Sequence, residues 1–389
     1  MKDQSNTQKS NVREYQICTK TIMDTSDPNI IFDSEGASDY YRNYVDNIVP
    51  SWDTSEKGQE KMFMIAEKIR KENRNKDFDC IIGVSGGLDS SYAAYLAKEV
   101  LNLRPLVFHV DAGWNTNQAV SNIEKLLNGL NLDLYTEVIN WPEMRDLQRS
   151  YFKAGVPNLD GPQDIAFFSG LYKFARKNGV KYVLTGSNYS TECCREPYEW
   201  GAYLGIDKKF TMGLHKKFGS IPLKTYPILD VFEYKLFYQH ILGMKVLKPL
   251  NNFSYIKEDA ENLLEEKFGW QRFQHKHHES RFTRFYEDYW LPRKFGYEKR
   301  RAHFSSLILT GQMTRDEALD RISSPELSED VLEKEFEYVA NKLEFTVEEL
   351  RALFEGPKKG YLDYSNNWRM ISFANQAMQK MGLEKRLLR

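Results

Sequence analysis

Residues 80–91, Cys-Ile-Ile-Gly-Val-Ser-Gly-Gly-Leu-Asp-Ser-Ser, carry the strongest chemical signal in the chain. The apolar run Cys80–Val84 predicts a short buried strand, and a helix is predicted near 89–101. Between them, Gly86 and Gly87 permit positive φ and let backbone amides come close to an anion. The first amides of the helix and its dipole favour phosphate, and Ser85, Ser90 and Ser91 add hydroxyl donors. Asp89 by itself would repel phosphate, so its expected role is to hold Mg²⁺ bridging phosphate oxygens. The spacing is not the G-x-x-x-x-G-K-[ST] of kinase-type loops, because no Lys follows the glycines.

Two more strand ends converge on this one. The second predicted strand, Leu106–Val110, runs into His109-Val-Asp111-Ala-Gly-Trp114-Asn115, and the fourth, Lys181–Leu184, into Thr185-Gly186-Ser-Asn188. Backbone groups of Val110 are placed to read a base and Asp111 to contact a nucleotide, although Asp111 also reads as a helix cap. Other elements fill the pattern: a helix over 56–73, one near 116–129, a third strand Leu132–Ile139, helical segments to about 178, and a fifth strand near Pro222–Leu229 with a helix after it. Short apolar strands alternating with amphipathic helices imply a doubly wound parallel sheet covered on both faces, with ligands at the carboxyl ends of its strands. From about 255 the strand signal stops, and helices are predicted near 257–268, 298–311, 314–322, 328–342, 346–355 and 369–382. The expected organisation is a tail and turn-rich module over 1–54, with 1–13 disordered, a nucleotide domain over 55–254, and a helical C-terminal region over 255–389 that meets substrate or a partner.

The whole chain excludes several classes. Its 389 residues, 41% hydrophobic, suffice for a large core. With 54 Lys+Arg against 55 Asp+Glu, the net charge of −1 gives no global pull toward nucleic acid or an anionic membrane. No apolar run reaches the ~18–20 residues of a membrane span, no secretory leader is visible, and the cytoplasm is the expected compartment. Four cysteines, two of them adjacent, make no disulfide framework.

The loop Ser85-Gly-Gly-Leu-Asp-Ser-Ser resembles the S-G-G-x-D-S signature of the ATP pyrophosphatase (PP-loop) superfamily. That resemblance implies the adenine-nucleotide α-hydrolase type of sheet, with ATP and Mg²⁺ as cofactors and attack at the α-phosphate. The ATP contacts it implies are Val84, Ser85, Gly86, Gly87, Asp89, Ser90, Val110, Asp111, Thr185 and Gly186. Longer blocks narrow it: Met23-Asp-Thr-Ser-Asp-Pro28, Phe32-Asp33, residues 191–206, His275-Lys-His-His-Glu-Ser-Arg-Phe-Thr-Arg-Phe-Tyr286 and residues 291–306. Together they resemble the N-acetyl sugar amidotransferases, the WbpG/PseA-like family of surface-polysaccharide (LPS O-antigen) and flagellin-glycan synthesis, from about residue 15 to beyond 310. The resemblance implies conversion of an acetamido group on a UDP-linked or acidic sugar to an acetamidino group. The amide oxygen is adenylated with loss of pyrophosphate, and ammonia then displaces AMP. Asp89, Ser90, His278 and Glu279 are the expected catalytic residues. Arg195, Arg281 and Arg284 are expected to clamp a carboxylate or phosphate. Tyr198 and Trp200 would stack on a sugar or base or serve as core. Trp114, Asn188, Glu192 and His277 complete the expected substrate contacts.

The chain departs from the family in its N-terminal module. Relatives carry two C-x-x-C pairs in the N-terminal module. Here Cys18 is followed by Thr21, and the second pair is Ser38 and Tyr41, so no zinc is expected. None of the cysteines (Cys18, Cys80, Cys193, Cys194) sits in the Gly-flanked turn of a glutaminase nucleophile. Ammonia is therefore expected from a separate glutaminase resembling the imidazole-glycerol-phosphate synthase subunits. A homo-oligomer is left open. Two rival readings remain: a tRNA-modifying PP-loop enzyme, given the locally basic stretch Lys267–Arg301, and a non-catalytic ATP-binding scaffold.

Overall fold

A computed structural model describes residues 13–203 and 206–381. All of the stretch expected to be disordered except Arg13 lies outside these residues. Five strands form one parallel sheet in the order β3-β2-β1-β4-β5: β1 Cys80–Gly83, β2 Pro105–Asp111, β3 Leu134–Val138, β4 Tyr182–Leu184 and β5 Lys245–Leu247. The chain winds outward from β1 to β3, then returns to the other side of β1 with β4. A crevice therefore opens between the loops after β1 and β4, at the topological switch point.

Successive side chains on a strand point to opposite faces, and the two faces feed separate cores. Ile81, Leu106, Phe108, Val110 and Val183 pack with the helices Trp141–Ala154 and Gly161–Lys177 and with much of the C-terminal region. Cys80, Ile82, Val107, Tyr182 and Leu184 pack on the other side, under the helices Glu56–Glu72, Leu88–Tyr95, Asn117–Leu130 and Lys257–Phe268. The helices begin at recognisable caps. Thr116 Oγ1 accepts from Ala119 N at 3.2 Å, and Asn140 Oδ1 accepts from Glu143 N at 3.2 Å.

One predicted strand is corrected. Residues 222–229 are irregular, and the fifth strand is Lys245–Leu247 instead. Glu143 explains the substitution. Its carboxylate accepts from the backbone amides of Lys224, Thr225 and Tyr226 at 2.7–3.1 Å, so these donors need no sheet partner. Tyr226 and Leu229 still reach the core, which is what made the segment resemble a strand.

The predicted C-terminal helices are present as Arg300–Leu309, Arg315–Ile322, Glu329–Lys342, Val347–Glu355 and Trp368–Lys380. The helix Arg281–Phe285, its wide continuation Tyr286–Phe295 and the helix Lys208–Phe218 were not predicted. The N-terminal module packs onto this region. Met23, Ile30 and Tyr40 join Cys194, Trp200 and Ala302, while Ile22 joins Phe304, Leu307 and Ala318. Among the described residues, no helix is long and apolar enough to cross a membrane.

Candidate active site

The loop after β1 is held open by tight contacts that only glycine allows. Gly86 has φ +86°, and a Cβ there would stand 2.5 Å from the Ala119 carbonyl oxygen. Its own carbonyl accepts from Trp270 Nε1 at 3.2 Å and Asn122 Nδ2 at 3.4 Å. A Cβ on Gly186, in the loop after β4, would lie 2.7 Å from the backbone carbon of Asp89, so this loop touches the first turn of the helix Leu88–Tyr95. Ser90 Oγ accepts from Ser85 N at 3.2 Å, and Ser85 Oγ accepts from Gly87 N at 3.2 Å. The result is a preformed nest of amides and hydroxyls at a helix start, which suits phosphate oxygens.

Asp89 has well-defined partners. Its Oδ1 accepts from Tyr255 OH at 2.6 Å and from Asn188 Nδ2 at 3.1 Å, while Oδ2 lies 3.8 Å from Lys276 Nζ. Burial lifts its carboxyl above the usual range, opposed by Lys276 and reinforced by Glu192. Lys276 also reaches Glu192 at 2.8 Å. Although burial disfavours the ammonium, Glu192 and Asp89 hold its pKa well above the ordinary lysine value. Thus the cation missing after the glycines is supplied by residue 276, far along the chain. Among the described residues no cluster of three side chains could enclose a metal ion. Mg²⁺ in phosphate sites takes one or two carboxylates plus phosphate oxygens and water, and the lone Asp89 fits that chemistry.

A cavity of about 1030 Å³ extends from the loop between the sheet edge and the C-terminal region. Of the expected residues, Val84, Ser85, Ser90, Val110, Thr185, Gly186, Asn188, Glu192, Arg195, Tyr198, His277, His278 and Glu279 line it. Gly87 and Asp89 line a smaller adjoining cavity. Glu279 approaches the loop directly, accepting from Ser85 Oγ at 3.4 Å. His278 Nε2 faces Asp288 Oδ2 at 3.0 Å. His277 has φ +63°, uncommon for a non-glycine residue, and its ring meets Glu287 at 3.1 Å. Burial disfavours its charge but Glu287 prevails, raising His277 to about 9. It is therefore a standing cation, unfit to act as a base at neutral pH.

Gly86 lines neither cavity although it belongs to the loop, and five further expected contacts lie elsewhere. Asp111 does not line the cavity. It accepts from Gly113 N at 2.8 Å and Asn115 Nδ2 at 3.3 Å, closing the turn after β2. Asn115 in turn donates to His109 Nε2 at 2.9 Å, while His109 Nδ1 donates to the Val84 carbonyl at 2.7 Å. Trp114 and Trp200 are almost fully buried. Trp114 packs on Trp141 and Phe282, and Trp200 stacks on Tyr297 and donates to the Ser26 carbonyl at 3.1 Å. Arg281 and Arg284 both bind the buried Glu335, at 2.9 and 2.7 Å. They tie the helix Arg281–Phe285 to Glu329–Lys342 rather than clamping a ligand.

The cavity also holds residues that sequence reasoning missed. Lys299 bridges Glu196 at 3.0 Å and Glu287 at 2.7 Å. Asp160 and Asp164 stand one turn apart at the start of Gly161–Lys177 and line the same cavity. Burial and the neighbouring Asp164 push Asp160 up to about 7. The only sequence signal was their i, i+4 spacing, which also describes many solvated helix faces.

The N-terminal module has no second thiolate beside Cys18. Cys18 Sγ instead accepts from Ser38 N at 3.2 Å and Lys20 N at 3.4 Å. These hydrogen bonds, with those of Ser38 and Thr21, outweigh burial and lower the thiol's pKa. Cys193 and Cys194 are buried free thiols beside the cavity.

Two family models match separate parts of the chain. Residues 279–375 match the family "LPS biosynthesis protein WbpG-like, C-terminal domain", and residues 59–151 match "NAD synthase". The glutamine-hydrolyzing GMP synthase of Aeropyrum pernix is 27% identical over 211 residues, 53% of this chain and 34% of that protein. The chain thus spans about a third of the length of that curated relative. Among solved structures, the NMN synthetase of Francisella tularensis aligns over 72% of this chain and 93% of its own, at 18% identity and a TM-score of 0.29. The NH₃-dependent NAD synthetase of Campylobacter jejuni aligns over 54% and 82%, at 20% identity and a TM-score of 0.29. The segment that carries the loop is thus similar to NAD synthase, and the segment that lines the far side of the cavity is similar to the WbpG-like C-terminal domain, a combination consistent with the WbpG-like PP-loop proteins.

Proposed function

We propose that this chain is the synthetase subunit of an ATP-dependent amidotransferase that converts an acetamido group of a nucleotide-linked or acidic sugar into an acetamidino group. The observation that carries the proposal is one continuous cavity lined at one end by Ser85, Ser90, Thr185 and Gly186 and at the other by Thr283, Tyr286, Glu287 and Lys299 of the WbpG-like domain. An activated phosphate and an acceptor sugar would meet inside it.

An amide carbonyl is a poor electrophile. Adenylation of its oxygen, with release of pyrophosphate, makes that oxygen a leaving group. Ammonia then adds to the carbon and AMP departs, so NH replaces O. Loop amides with Ser85 and Ser90 orient the phosphates and receive charge as pyrophosphate leaves. Asp89 would hold Mg²⁺, which supplies charge neutralisation there. Lys276 adds a cation from the facing wall. Asp160 has a pKa suited to taking a proton from incoming ammonium at neutral pH. An amidine is cationic where an amide is neutral, and the buried acids Asp160 and Asp164 would favour a cationic product over its precursor. Arg195 lines the cavity and is the remaining expected arginine for a substrate carboxylate or phosphate.

The tRNA reading is weakened by how the basic stretch is used. Arg272 pairs with Glu265, Arg293 with Glu329, and Arg281 and Arg284 with Glu335. Ammonia is assigned to a separate glutaminase, and the pathway to surface-polysaccharide or flagellin-glycan synthesis. The test is incubation of the purified chain with ATP, Mg²⁺, ammonium and either a UDP-linked diacetamido uronic acid or a nonulosonic acid. The expected outcome is equimolar AMP and pyrophosphate and a product in which NH replaces one oxygen. Formation of no AMP with either sugar class, in protein that binds ATP, overturns the proposal. Glutamine serving the lone chain as well as ammonium overturns the separate glutaminase.

A further inference from the structure

Beside the main cavity lies a second one of about 150 Å³, and the two share Ser85, Thr191, Lys257, His275, Lys276, His277, Glu279 and His303. One wall is the phosphate loop, through Ser85, Gly87 and Asp89. The opposite wall comes from three distant segments: Lys257 at the start of Lys257–Phe268, Lys276 in the loop before Arg281–Phe285, and His303 within Arg300–Leu309. Neither the loop motif nor the reading of function above gives Lys257 or His303 a task.

His303 is the informative member. Its Nε2 is buried and has no hydrogen-bond partner in the protein. Buried polar atoms are almost always paired, so an unmatched one on a residue that lines a cavity points to a ligand as the partner. Lys257 is held only loosely, whereas Lys276 is anchored by Glu192 with its ammonium still close to Asp89. Lys257 Nζ is 3.8 Å from Glu261, and Lys276 is shared between Glu192 at 2.8 Å and Asp89 at 3.8 Å. A compact polyanion entering between the walls would meet loop amides on one side and two ammonium groups and an imidazole on the other.

We infer that Lys257, Lys276 and His303 form the second half of a pyrophosphate chamber, receiving the anion as it leaves the loop. The inference rests on the ATP-cleaving reading for the identity of the anion. His303 contributes Nε2 as a hydrogen-bond donor and gains a proton when the anion arrives. Burial, then Lys276, Lys257 and His277, hold the imidazole neutral against the pull of Glu287. Asp89, Glu261 and Glu279 also face the chamber and His275 lines it, while Glu192 reaches it through Lys276. A polyanion reverses the local field, so the protonated form becomes favoured. Pyrophosphate should then bind more tightly as pH falls, and should take up protons on binding.

The experiment is calorimetric titration of the full chain with pyrophosphate and Mg²⁺ in two buffers of different ionisation heat. Wild type and His303→Gln are compared, so that protons bound by pyrophosphate itself cancel. His303→Gln is expected to weaken binding about tenfold and to lose part of the proton uptake. Equal affinity and equal uptake in the two proteins overturn the inference. Should the variant fail to fold, the imidazole resonances of wild type serve: a pyrophosphate-dependent shift of His303 toward the protonated position supports the chamber, and an unchanged His303 signal overturns it. Pyrophosphate binding that ignores His303, in a protein that still amidates a sugar, removes the chamber and leaves the function. Proton-linked binding in a protein that converts no acetamido sugar does the reverse.

Discussion

The two walls of the candidate site are built on opposite principles. The loop wall, residues 84–90, uses backbone geometry within one short segment. The two serine hydroxyls are fixed by neighbours in sequence, and Gly86 at positive φ is seated against Ala119, Asn122 and Trp270. The facing wall, residues 257–303, uses charged side chains fixed by one another: Lys276 on Glu192, His277 and Lys299 on Glu287, His278 on Asp288. A local wall tolerates change around it, whereas a wall of ion pairs is sensitive to charge and pH. The same family of residues also splits by use. Lys276 and Lys299 face the cavity, while Arg281 and Arg284 are spent on Glu335.

The largest expected effect breaks the loop wall. Asp89→Asn keeps the shape but loses the charge, and should lower kcat by about 10²–10³ while the thermal transition stays within a few degrees. AMP release and calorimetry check this, and an unchanged kcat would remove Asp89 from the mechanism. Next, Glu335→Gln should destabilise the chain by about 2–3 kcal/mol in denaturant unfolding, because two guanidinium groups lose a buried partner. KM for the sugar should stay the same; a large rise in KM would return Arg281 and Arg284 to the substrate. Gly86→Ala forces a side chain into positive φ against the Ala119 carbonyl, a cost of about 1–3 kcal/mol. ATP affinity should fall with it, as measured by titration.

The smallest effect concerns pH. His277 rises from 6.5 to about 9 in the folded chain, so the folded state binds the extra proton. The stability this pair supplies is fully present below pH 6.5 and is lost as pH rises through about 9. Stability measured by denaturant at the two ends should decline with pH, and His277→Gln should flatten that decline. A variant with the wild-type slope would show that the pair does not set it.

How much of this was legible in the sequence depends on range. The loop at 85–91 and strands Leu106–Val110 and Lys181–Leu184 were readable because a strand–glycine–helix junction is a local pattern. The strand Lys245–Leu247 was not. It is three residues long, and the apolar stretch at 222–229 is the stronger signal, though its amides are taken by Glu143. In the blocks at 191–206 and 275–286 the residue types were right while their uses diverged. Trp200 and Arg281 were structural, and Lys276, inside the same block as His277, was passed over. Nothing in a linear motif says whether an arginine will meet a ligand or a buried glutamate.

The sequence by itself pointed to a phosphate grip after β1, and to one that is not of the kinase type, because both readings follow from residue types within a dozen positions. The tertiary structure alone brought Lys276 beside Asp89, placed Asp160 and Asp164 in one cavity, and put His303, with an unpaired nitrogen, among the residues lining the cavity beside the loop. The physical reason is that side-chain charges act through space. Segments hundreds of residues apart in the chain become neighbours only when both cores have closed around the sheet.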